Sequence, residues 1–136
     1  MKQMILGLLL LTATVNAQVY TKADRVKDMT TMAEAMNIIQ SGFFYNNYDT
    51  VSAGVETLTN TIAHVKPVVE ETQKKDVMER YMDKKFQMTN KIVKKINQKA
   101  LTILQRFKSG DAPQAVQAYT KIMGQCMQCH REIRHW

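Results

Sequence analysis

The chemistry of this 136-residue chain is concentrated in five consecutive residues, Cys126-Met127-Gln128-Cys129-His130. The only two cysteines stand at C-x-x-C spacing and are followed at once by histidine, which is the attachment pattern of a c-type haem. Two thiols that add to vinyl groups on one edge of a porphyrin must lie close together. The adjacent imidazole must then reach the iron from one face of the ring. On a helix, Cys126, Cys129 and His130 project at i, i+3 and i+4, within little more than one turn. All three can therefore hold one haem c, through two thioethers and a nitrogen ligand. C-x-x-C also occurs as a structural disulfide, a thioredoxin-like redox pair or half of a zinc site. Zinc would want further Cys or His ligands, and the other histidines, His64 and His135, stand at no convincing ligand spacing. A thioredoxin-like pair sits between a strand and a helix, and nothing near these residues reads as a strand.

The opposite end of the chain agrees with this reading. MKQMILGLLLLTATVNA has a charged Lys2, an apolar run from Ile5 to Leu11 and a small-residue cleavage site at Val15-Asn16-Ala17. That is the pattern of a secretory signal peptide, residues 1–17. A membrane anchor is the rival, but the apolar run is far shorter than the roughly 20 residues that span a bilayer. Haem is joined to C-x-x-C-H outside the bacterial inner membrane, so leader and motif predict each other. The expected mature protein is residues 18–136, one soluble periplasmic domain.

The helices that must position these residues are legible from spacing. The mature part has four glycines and two prolines, Pro67 and Pro113, too little turn chemistry for a many-stranded sheet. An all-α chain is expected. A first helix runs from about Lys22 to Phe44, with Arg25, Met29, Met32, Met36, Ile39 and Phe43 on one face. Tyr45 to Asp49 breaks it, and Asp49 is the expected cap of a second helix. That helix carries Val51, Val55, Leu58 and Ile62 and stops near Pro67. A long third helix is read from about Glu71 to Lys108, with an inward face running from Met78 and Met82 through Phe86 and Ile96 to Phe107. Gly110 ends it and Asp111 caps the fourth, with Pro113 tolerated in its first turn. Val116, Tyr119, Met123, Cys126, His130 and Ile133 are the expected inward face of the fourth. Short connections between amphipathic helices predict an antiparallel four-helix bundle, with the haem inside it on the C-terminal helix.

These residues together resemble the class II cytochromes c, the cytochrome c-prime family and its six-coordinate relatives. The resemblance spans the whole mature chain and is most specific in GDAPQAVQAYTKIMGQCMQCHREIR, from Gly110 to Arg134. It includes the Gly-Asp start, a glycine shortly before the first cysteine and an arginine four residues after the histidine. Arg25-Val-Lys-Asp-Met29 is similar to the family's first-helix pattern, in which an arginine precedes the distal residue by four. Ile133 departs from the family, which usually places an aromatic there. The resemblance implies a homodimer through the first two helices. It also implies that Met29 faces the iron opposite His130. Thioether ligation would raise the reduction potential and favour electron transfer. Met32 and His64 are the other candidates, and an open site is the alternative. Met29, Met32 and Met36 equally form an apolar stripe of the kind that fills core gaps. Copper handling by the remaining methionines is a weaker rival, because they are scattered over core-facing positions.

Charge adds a hint about partners. The chain carries +7; loss of Lys2 with the leader and two ionised propionates would leave about +4. Lys84, Lys91, Lys95 and Lys99 form a basic stripe on the third helix, either a solvated face or a docking surface for an acidic redox partner. Nucleic acid is not an expected partner of an exported protein. Arg25, one turn before Met29, is a candidate to pair with a haem propionate, since a buried carboxylate needs a cationic partner. Two function classes follow: a periplasmic one-electron carrier, or a five-coordinate protein that binds nitric oxide or carbon monoxide. Neither is an enzyme in the ordinary sense, because no constellation of catalytic acid, base or nucleophile appears.

Overall fold

The structure, a computed structural model, describes residues 19–68 and 76–134. The expected leader, the start of the expected third helix at residues 71–75, and His135 lie outside the described residues. Among the described residues five helices pack together: α1 (Lys22–Phe44), α2 (Tyr48–Ile62), α3 (Val77–Met82), α4 (Lys84–Lys108) and α5 (Ala112–Arg134). Among the described residues there is no strand. No helix there is long and apolar enough to cross a membrane.

Two hairpins, α1–α2 and α4–α5, are closed by the same turn. At the end of α1, Asn46 takes the left-handed conformation (φ 48°). Asn46 N–H donates to Phe43 O at 3.2 Å and Asn47 N–H to Gly42 O at 2.9 Å. At the end of α4, Gly110 plays the same part (φ 80°), with Gly110 N–H on Phe107 O at 3.1 Å and Asp111 N–H on Arg106 O at 2.9 Å. This pair of bonds is the Schellman arrangement, which satisfies the last carbonyls of a helix. The residue after each left-handed position then caps the next helix. Asn47 Oδ1 accepts from Thr50 N–H at 3.0 Å, and Asp111 Oδ1 from Gln114 N–H at 3.2 Å. Asp111 is therefore placed as expected. The expectation for Asp49 is corrected to Asn47, because only the residue after the left-handed one has the extended backbone that a cap requires.

Two further boundaries differ from the sequence reading. The helix expected up to Pro67 stops at Ile62, and the backbone leaves it through turns at His64 and Val65. The long third helix is broken at Asp83, whose backbone is extended (φ −61°, ψ 132°) and whose carboxylate accepts from Lys85 N–H at 2.7 Å. Aspartate competes with helix continuation through such local bonds, so α3 and α4 are separate.

The hairpins meet through one apolar core. Ile39, Val51, Leu58, Ile96, Ile103 and Ile122 are fully buried, each worth about 1.5–3 kcal/mol relative to exposure. Within the first hairpin the backbones approach closely: a Cβ on Gly42 would meet Val51 N at 2.8 Å, and one on Gly54 would meet Ile39 N at 2.9 Å. Contact between α1 and α5 is aromatic. Phe43 stacks edge-on against Tyr119 at 5.7 Å and tilts against Phe107 at 5.2 Å, while Tyr119 Oη donates to Met36 O at 3.3 Å.

Candidate functional site

The inward face of α5 is narrower than its hydrophobic residues predict. Ala115, Ala118, Ile122 and Cys129 are buried, with Tyr119 and Cys126 partly so. Val116 and Met123, expected inside, are 44% and 48% exposed. Small alanines let α5 approach its neighbours closely, and the bulkier side chains flank that seam. The side chain of Ile133 lies outside what the structure describes.

The same face delivers Cys126, Cys129 and His130 to the wall of one internal cavity. Met29 and Met32 reach that cavity from α1. Ile62 and Val65 close it at the end of α2, and Thr89, Ile92, Val93 and Ile96 form its α4 side. Thr89 is the one polar wall residue from α4, and its hydroxyl is occupied by Lys85 O at 2.8 Å. The arrangement brings together the residues singled out from the motif and the first helix, about a hundred positions apart in the chain. Of the wall residues, spacing marks Ile62 and Val93 as core but not as cavity, and it does not mark Val65 or Ile92 at all.

Both cysteines are free thiols, and the apolar surroundings keep them protonated. Burial, reinforced by Cys129, pushes the Cys126 thiol up to about 11. Cys129 is the more buried of the two by exposure, and burial raises its pKa also, but the Arg25 guanidinium partly offsets that. Arg25 therefore lies within electrostatic reach of Cys129, although it is not a wall residue of the cavity. Burial likewise raises the Tyr119 phenol, with Cys126 adding to it. His64 is exposed and lines a different, outer cleft with Tyr20 and Lys66, away from the cavity that Cys126, Cys129 and His130 line.

Among the described residues no three His, Cys, Asp or Glu side chains gather closely enough to hold a bare metal ion. The donor set is instead spread over a wall: two thiols and an imidazole on α5, two thioethers opposite on α1, and aliphatic side chains around them. Thiol, imidazole and thioether are the soft and borderline donors that a transition-metal group would use. The enclosed space measures about 30 Å³, room for about one water. That space is far smaller than a porphyrin, so a bound macrocycle would require the wall to open. No family model, curated protein or solved structure matches this chain, so its assignment rests on the residues themselves.

Proposed function

We propose that this chain is a periplasmic c-type cytochrome, a four-helix bundle with one haem joined through Cys126 and Cys129, that carries one electron between redox partners. The observation that carries the reading is the meeting of residues 126, 129 and 130 with Met29 at one apolar cavity. When bound, the haem would supply an iron that gains and loses one electron. His130 and Met29 are the residues that would hold that iron. The remaining work belongs to the chain. Aliphatic side chains of α2 and α4 exclude water, which keeps the charge change in a low-dielectric setting and tunes the potential. Arg25, close to Cys129, supplies positive charge for a carboxylate at the cavity edge.

The optical spectrum of the purified mature protein tests this reading. Ligation by Met29 gives sharp, separated visible bands in the ferrous protein and slow carbon monoxide binding, because the gas must displace sulfur. Met29→Ala then becomes high-spin, binds gas quickly and has a lower reduction potential. Met32→Ala changes packing alone, with a loss of about 2–5 kcal/mol, since Met32 is buried. A wild-type spectrum that is broad and high-spin in both oxidation states would refute the electron carrier and favour the gas-binding alternative. A colourless chain of unmodified mass would refute the haem.

A further inference from the structure

The two hairpins differ sharply in charge. From Lys22 to Ile62 the chain carries three Lys or Arg against five acids, a net −2. From Lys84 to Arg134 it carries eleven against two, Asp111 and Glu132, a net +9. Those two acids are engaged locally, Asp111 with Arg106 at 3.4 Å and Glu132 with Arg131 at 3.6 Å. No acid lies within α4, and none in α5 before Glu132.

The positive surface also has a shape. Lys84, Lys91 and Lys95 surround a recess of about 290 Å³ floored by Met88, Ile92 and Gln128. Gln128 is shared with an adjoining recess on the outer side of α5, formed with Gly124, Met127 and Arg131. Met127 is 52% exposed, and a Cβ on Gly124 would meet nothing within 4 Å. An adaptable apolar centre inside a cationic rim is the anatomy of a protein interface. A glycine in an open helix interior weakens the helix and leaves space for a neighbour's close approach. Ile92 lines both the recess and the internal cavity, so one side chain separates this face from the candidate site.

We propose that the α4–α5 face docks an acidic partner protein, a carboxylate-bearing protrusion entering the recess ringed by Lys84, Lys91 and Lys95. The proposal rests on the electron-carrier reading for its purpose, since a partner seated there stands nearest the cavity. The charge asymmetry orients the encounter: the acidic α1–α2 hairpin repels the partner while the basic hairpin attracts it. An anionic bilayer is a poorer match. Of the strongly exposed aromatics among the described residues, Phe44 and Tyr45 belong to the acidic hairpin and Tyr81 alone stands beside the basic one, so no belt of aromatics backs the cations.

The test titrates the mature chain with poly-L-glutamate while amide shifts are followed by NMR. Shifts are expected along 84–95 and 121–131 and not in α1 or α2, with affinity falling as salt rises. Lys84→Gln/Lys91→Gln/Lys95→Gln is expected to weaken binding at least about tenfold. Lys22→Gln/Lys27→Gln/Lys66→Gln removes the same charge elsewhere and is expected to weaken it less than about twofold. Equal weakening by both variants would overturn the proposal in favour of net charge alone. Tighter binding to phosphatidylglycerol vesicles, lost in the first variant, would overturn it in favour of a membrane. Haem content is read separately by absorbance on each sample. A haem-free chain refutes the carrier reading, and the shift map still decides the docking face.

Discussion

Replacing Gly54 with alanine tests whether the close approach of α2 to α1 fixes the position of Met29 and Met32. A Cβ at residue 54 would lie 2.7 Å from Ile39 Cγ1, 2.9 Å from Ile39 N and 3.0 Å from Ala35 O. Ile39 is fully buried, and the two backbone atoms cannot rotate aside, so the helices must separate. Alanine gains about 1 kcal/mol of helix propensity over glycine. Overpacking a filled contact costs about 1–3 kcal/mol, and contact with backbone belongs in the upper part of that range. The net expectation is a loss of about 1–2 kcal/mol. Gly124→Ala is the internal standard: it makes the same change within a helix, and its new Cβ meets nothing within 4 Å. It should gain about 0.5–1 kcal/mol. Urea unfolding at constant slope ranks the three proteins, with Gly124→Ala above wild type and Gly54→Ala below. If Met29 holds iron as proposed, its spectral signature should weaken in Gly54→Ala alone. If Gly54→Ala is as stable as wild type, the helices can part freely and the reasoning fails.

Two other outcomes follow from the site. With the thiols free, Cys126 titrates at about 11 in the folded chain against an ordinary 9.0. The folded state therefore keeps a proton that the unfolded state releases between those values. This contribution is full below about pH 9 and is lost as pH rises toward 11, by about 2–3 kcal/mol. Unfolding of the free-thiol chain and of Cys126→Ser from pH 8 to 11 checks it; a flat difference between the two curves would count against burial as the cause. Tyr119→Phe removes the hydroxyl bond to Met36 O but keeps the ring against Phe43, so it should cost no more than about 1 kcal/mol. Tyr119→Ala should cost several times as much, and equal losses would place the tie between α1 and α5 in the hydroxyl instead.

Helical spacing made the inner faces of α1, α2 and most of α4 readable, because one apolar stripe there serves one core, whereas Met78, expected inside on the same helix, is 68% exposed on α3. On α1, Met32, Met36 and Ile39 are buried where the interval of three and four places them. The same logic misled on α5, where size was taken for burial: Ala115 and Ala118 face inward while Val116 and Met123 flank the seam. A sequence states which residues are large, whereas the closeness of two helices decides which are inside. The break at Asp83 and the cap at Asn47 depend on backbone angles that neighbouring polar residues could also have supplied. For the site, the C-x-x-C-H motif is legible because its spacing is rare, whereas Met29 stands out only through the family resemblance and otherwise belongs to an ordinary methionine stripe. The cavity wall was not, because isoleucine and valine look alike in a core and beside a pocket.

The bond from Tyr119 to Met36 joins residues 83 apart in the chain. Each hairpin can close on its own through a three-residue connection, which makes it a local and rapid event. The cavity closes only when the two hairpins dock, and that contact is long-range. In an α4–α5 hairpin not yet docked, Cys126 and Cys129 would lie on its open apolar side, within reach of a bulky reagent. Afterwards, the same reagent must part a wall around a space of about 30 Å³. Were the thiols to be captured by such a reagent, capture would compete with assembly. The yield of modified protein depends on how long the hairpins stay apart, so a variant that speeds docking should reduce it, even with the motif untouched.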